Sequence, residues 1–330
     1  MNVMTTNLTR TLNGAVALLG ATTFAPLVSA QTYPVKPIRM LVPLQAASAV
    51  DNAARIVAQK MSENMGQPII IENQPGAAGV IGTERVAKSA PDGYTIGGFN
   101  DSIMTMVPNL YPKLSWDILK DFDPVSIVAT IDWGLVVPPN SPFKSTADLI
   151  AAAKAEPGKL VYSSGGNGSP QHVAMEMFKS MANVNLVHIP YKGAAAAALD
   201  VATGQVQAHL SGLPTVHALI RGGKVRLLAV GSPRRLTQFP DVPTVAESGL
   251  PGFEFSSAFV IVTPAGTPKD IIARLNGEIV KALAAPEVRE KLVGQGFTIR
   301  GSTPEEVTTM TRNQLARYGQ LFKQAGIKID

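Results

Sequence analysis

Cysteine is absent from this 330-residue chain. Its absence excludes disulfides, thiolate metal sites, a cysteine nucleophile and lipid attachment through an N-terminal cysteine. Histidine is scarce: no two of His172, His188, His209 and His217 lie at helical spacing, and HExxH does not occur. GxSxG and GxxxxGK[ST] are also missing. Ser141-Pro142-Phe143-Lys144 fits SxxK, but its prolines place it in a loop and no KTG follows. No metal, no cofactor and no catalysis is therefore expected. The formal net charge of +5 is spread along the chain rather than gathered into a stripe. That argues against nucleic acid and is compatible with an anionic small ligand.

The N-terminus carries the first positive signal. Met1 to Arg10 is polar with one positive charge, Gly14 to Val28 is small and apolar, and Val28-Ser29-Ala30 offers a signal-peptidase site. Residues 1–30 read as a signal peptide, cut between Ala30 and Gln31, which implies export to the periplasm. A membrane anchor fits less well, because Thr22, Thr23 and Pro26 interrupt a run shorter than the roughly 20 residues a span needs. No later segment is long and apolar enough to cross a bilayer.

Beyond the leader, short apolar runs alternate with helical patterns, which predicts an α/β architecture with largely parallel sheets. Ile38 to Val42, Pro68 to Glu72, Tyr94 to Gly98 and Phe122 to Thr130 read as strands of a first series, with Leu135 to Val137 as a separate one. A second series uses Leu160 to Ser163, Leu186 to Ile189, Val206 to Leu210 and Val225 to Val230. Phe259 to Thr263 is a late strand, and three helices close the chain. Chain crossings near Thr130 to Gly134 and Phe255 to Val260 would give two lobes: residues 31–132 plus 256–330, and residues 133–255.

Two turns could carry chemistry. In Tyr162 to His172 a strand ends, a glycine-rich turn follows, and Ser169 and Pro170 begin a helix as cap and first residue. Such a turn bares backbone N–H groups at a helix start and makes an anion site. A tight βα connection that merely uses glycine reads equally well. The turn Pro43 to Asp51 occupies the matching place in the first lobe, with Gln45 and Ser48 as donors and Asp51 as a helix cap. In α/β lobes ligands bind outside the carboxyl ends of strands, so facing lobes would aim both turns at one ligand. Phe99, Trp133 and Phe259 could flank a flat apolar ligand, although lobe core is the commoner fate of each.

The ordered motifs Tyr33-Pro-x-Lys-Pro-Ile-Arg39, Glu72-Asn-x-Pro-Gly-Ala77, Gly79-x-Ile-Gly82, Ala90-Pro-Asp-Gly-Tyr-Thr95, His188-Ile-Pro-Tyr-Lys-Gly193, Asp241-Val-Pro-Thr-Val245 and Pro264-Ala-Gly-Thr-Pro268 resemble the Bug (TctC-like) receptors of tripartite tricarboxylate transporters. This resemblance implies a type II periplasmic-binding-protein fold, a carboxylate held between two loops, and membrane components of the transporter as partners. Onto this chain it maps Gln45, Ala46, Ala47, Ser48 and Asp51 on one side. On the other it maps Ser163, Ser164, Gly165, Gly168, Ser169 and His172, with Asn100, Lys192, Gly193 and Ser211 completing the pocket. One departure stands out. The family's Pro-x-Gly-Gly in the first loop is replaced by Gln45, Ala46, Ala47 and Ser48, which restricts positive-φ backbone and close approach there.

The resulting expectation is a monomeric periplasmic receptor for a di- or tricarboxylate, terephthalate among the aromatic options; a secreted serine hydrolase using Ser164 or Ser169 is the alternative. Ser169→Ala is expected to weaken ligand binding, followed by calorimetric titration, with little loss of thermal stability. Unchanged affinity would count against that helix start as a clamp.

Overall fold

The computed structural model describes residues 33–111 and 113–325; the expected signal peptide lies outside them. In chain order the elements are β1 (Ile38–Val42), α1 (Ala49–Met65), β2 (Ile69–Asn73), α2 (Val80–Ala87), β3 (Thr95–Asn100), α3 (Asp101–Thr105), α4 (Val107–Leu110) and β4 (Phe122–Val137). Then come α5 (Thr146–Ala155), β5 (Val161–Ser164), α6 (Pro170–Ala182), β6 (Val187–Pro190), α7 (Ala194–Ala202), β7 (His209–Gly212), α8 (Leu213–Arg221) and β8 (Arg226–Val230). The chain closes with β9 (Ser256–Pro264), α9 (Lys269–Ala284), α10 (Pro286–Gly294), β10 (Phe297–Ile299) and α11 (Pro304–Ala325).

The first sheet runs β10-β4-β9-β3-β1-β2. Only the β3-β1-β2 side is parallel; β9 is antiparallel to both β3 and β4. The sheet is therefore mixed, not largely parallel, because the chain returns from its middle section through β9 without a crossover helix. The expected break between Thr130 and Leu135 is also absent. β4 is one strand of 16 residues whose first part pairs with β9 and whose last part, from Trp133, pairs with β7 and β8. Beside β7, Tyr162 of β5 bridges Ala208, and β5 pairs in parallel with β6.

β4 thus joins two groups of strands, and β9 runs beside its first part. β4 and β9 lie against one another where the groups meet, with Ile131 opposite Ser257 and Asp132 opposite Ser256. Trp133, Phe255, Phe99, Phe178, Phe253 and Phe259 are wholly buried there and in the flanking cores. Burying side chains of this size contributes about 1.5–3 kcal/mol each, which fixes the strands that carry the site.

Two imidazoles, His209 buried and His188 half-buried, give the fold a pH signature. Nδ1 of His209 lies 2.9 Å from the Ser163 carbonyl, while its Nε2 is buried without a partner. Burial pulls His209 down to about 4, partly opposed by the Ser163 carbonyl. Burial, and then the neighbouring His172, pull His188 down to about 4. The unfolded chain takes up these protons near pH 6.5, whereas the folded chain resists until about pH 4. Both groups therefore favour the fold at neutral pH and lose that contribution as pH falls through this window. The difference in Tm between the parent and His209→Asn should shrink between pH 6.5 and pH 4. A constant difference in thermal melts would contradict this account.

Candidate functional site

A cavity of about 550 Å³ lies where the two strand groups face each other. Its walls are loop ends and helix starts: Pro43–Val50, Pro75–Gly79, Gly165–Gln171, Pro190–Ala194 and Gly212–Thr215 contribute residues, over a floor of Asn100, Ile131, Trp133 and Ser257. Four helices of at least nine residues start at this cavity, namely α1, α6, α7 and α8. The first N–H groups of a helix have no carbonyl within it, so each start presents partial positive charge. Ser48 caps α1 and Ser169 caps α6 through their side chains, whereas no side chain caps α7 or α8. Among the described residues, Lys192 is the one charged side chain that lines the cavity, and no carboxylate does. The field therefore favours an anion.

The first loop is braced from behind. Ala47 has φ +59, one of three alanines around the cavity, with Ala77 and Ala78, held in the left-handed region. The expected restriction against positive φ is not obeyed at this alanine; the strain is held by neighbouring hydrogen bonds. Asp51 accepts from the Ala47 N–H at 2.9 Å, from Asn73 Nδ2 at 2.9 Å and from Arg55, and Asn73 also donates to the Leu44 carbonyl. Burial opposes the Asp51 charge, but the hydrogen bonds from Arg55, Asn73 and Ala47 outweigh it and hold its pKa below the usual carboxylate value.

The second loop rests on a ring stack. His172 lies parallel to His188 at 4.2 Å, and His188 lies on Tyr162 at 4.9 Å. His172 Nδ1 accepts the Gly168 N–H at 3.1 Å, while Ser164 Oγ is 2.6 Å from His188 Nε2 and accepts from the Gly166 N–H. Tyr162 closes the far end by donating to Glu176 at 2.5 Å. The Ser164–His188 pair has the elements of a nucleophile and base. However, Ser164 is wholly buried, and among the described residues no carboxylate hydrogen-bonds His188. The Ser169 hydroxyl is engaged in capping, accepting from the His172 N–H at 3.4 Å.

Of the residues expected from the sequence, Gln45, Ser48, Asn100, Gly165, Ser169, Lys192 and Gly193 come together around the cavity. Ala46, Ala47, Asp51, Ser164, Gly168 and His172 stand in the loops or behind them without lining it. Ser163 is buried against Ala197 and His209, and Ser211 is buried on β7. Trp133 lines the cavity, whereas Phe99 and Phe259 lie in the core. Sequence reasoning missed Pro75–Gly79, Tyr111, Ile131, Gln171, Thr215 and Ser257. Only the Pro75-Gly76 turn left a signal that could have found them.

Two close approaches join the facing sides. A Cβ on Gly193, whose φ is +115, would lie 2.8 Å from Cγ of Gln45. One on Gly168 would lie 3.2 Å from the Tyr111 hydroxyl and 3.3 Å from Ala78 Cβ. The glycines let the opposing loops meet over the cavity.

Residues 53–327 match the tripartite tricarboxylate transporter family receptor. The chain belongs to this receptor family. Protein BugT of Bordetella pertussis is 36% identical over 98% of this chain and 99% of its own. A protein of R. palustris solved with adipate is 33% identical, covering 90% of this chain and 99% of that one with a TM-score of 0.87. MatC of Rhodopseudomonas palustris, solved with bound malate, is 28% identical over 88% and 99%, with a TM-score of 0.84. The receptor shares with these solute-binding proteins an α/β fold of two lobes around a cleft.

Gly193→Ala should keep the two loops of the receptor apart and abolish ligand-induced thermal stabilisation, with partial recovery when Gln45→Ala is added. An undiminished shift in Gly193→Ala would contradict the contact.

Proposed function

We propose that this receptor captures a small organic dicarboxylate in the periplasm and presents it to the membrane components of a tripartite tricarboxylate transporter. It acts without catalysis. In this reading the lobes comprise residues 31–132 with 256–330, and residues 133–255; they hinge where β4 and β9 run side by side. The observation that carries it is the cavity's polarity: four helix starts converge on a space that no carboxylate lines.

The magnitudes suffice without a buried arginine. Micromolar binding requires about 8 kcal/mol. Each charge-assisted hydrogen bond contributes about 1.5–3 kcal/mol, so four or five give about 6–15 kcal/mol before the costs of closure. The cavity lies within the roughly 300–1,000 Å³ usual for small-ligand sites. Neighbours solved with adipate and malate support an aliphatic dicarboxylate. The aromatic option, terephthalate, retains Trp133, Tyr111 and Tyr191 along the wall, but not Phe99 or Phe259.

A thermal-shift panel of adipate, malate, succinate, citrate, terephthalate and neutral amides tests this reading. Stabilisation by one or more of the acids and by none of the amides is expected. Stabilisation only by uncharged compounds would overturn the proposal, and a response to aliphatic acids alone would end the aromatic option.

A further inference from the structure

The cavity floor contains a hydroxyl whose hydrogen-bonding capacity is fixed by its neighbours. Ser257 is 2% exposed, stands at the start of β9 and lines the cavity. Its Oγ accepts from Trp133 Nε1 at 2.9 Å and from Asn100 Nδ2 at 3.3 Å. The indole nitrogen can only donate. The Asn100 amide is held in one orientation, because its Oδ1 accepts the Ser102 N–H at 3.0 Å, leaving Nδ2 for Ser257. Both lone pairs of the hydroxyl are thereby used, and Ser257 can only donate. Among the described residues nothing accepts its hydrogen.

We propose that Ser257 is a specificity-determining contact that donates to an acceptor oxygen, carboxylate or carbonyl, at the inner end of the ligand. The same arrangement rejects an ammonium group there, since an N–H donor would meet a hydroxyl with no lone pair left. Asn100 Nδ2 adds a second donor at the same place, and Trp133 and Ile131 supply an apolar wall around the ligand's carbon chain. The inference rests on the carboxylate-receptor reading and extends it: helix starts hold one end of the ligand, and Ser257 selects the chemistry of the other.

Two probe sets of matched chain length test it by calorimetry: adipate, caproate and ε-aminocaproate, and succinate, butyrate and γ-aminobutyrate. The parent is expected to bind the diacid of the better set more tightly than the monoacid, and the amino acid most weakly. Ser257→Ala should lose about tenfold in affinity for that diacid and little for the monoacid. Because this variant leaves Trp133 and Asn100 unpaired, Ser257→Cys serves as a second variant that keeps the side-chain volume, and it should show the same collapse of the diacid-to-monoacid ratio. Equal diacid affinity in parent and variants, or an amino acid bound as tightly as its diacid, would overturn this contact alone. A parent that binds no carboxylate in either set or in the wider panel would overturn the receptor reading and the contact with it.

Discussion

Backbone amides at the start of a helix have no carbonyl to bond within that helix, and this unmet demand organises the whole molecule. Four such starts face one cavity, and among the described residues no acid lines it to satisfy them. The scarcity of charge is itself functional. Fixed dipoles bind an anion without the desolvation cost of burying a cation, and they need no rearrangement when the ligand arrives. Asp51 and His172 take no place in the lining, yet each holds a loop in the shape that bares those amides.

The strand layout explains how two opposing loops can serve one ligand. β4 runs through both strand groups and β9 is its antiparallel neighbour where they meet, so a small change in the twist of β4 would move one group against the other. Gln45 over Gly193 and Tyr111 over Gly168 then determine how closely the loops meet. Gln45 stands on the first loop, opposite Gly193. Here a side chain fills space on the facing glycine, and Ala47 bears the backbone strain.

Much of this was legible in the sequence, for local reasons. Ser48 and Ser169 announce helix starts by residue type, and Gly165 to Gly168 announces a tight turn before a helix, so the principal walls were readable. The continuous β4 was not, because Asp132-Trp133-Gly134 looks like a break until β9 and β7 are seen pairing on either side of it. Phe99 and Phe259 could not be separated from Trp133 by sequence, since strand register decides which ring faces the cavity. Helix α8 has no side-chain cap to announce it, and Pro214 sits in its first turn, where proline is tolerated. Ser257 carried no signal at all. Its importance arises from Trp133 and Asn100, which are remote in sequence.

The most direct measurement is an amide chemical-shift titration of uniformly ¹⁵N-labelled receptor with the tightest-binding carboxylate. The account predicts that the N–H resonances of Ala49, Gln171 and Ala194 move downfield together, with one saturation midpoint. Shifts confined to one of the two strand groups, or separate midpoints for the two loops, would contradict a ligand held jointly by facing helix starts.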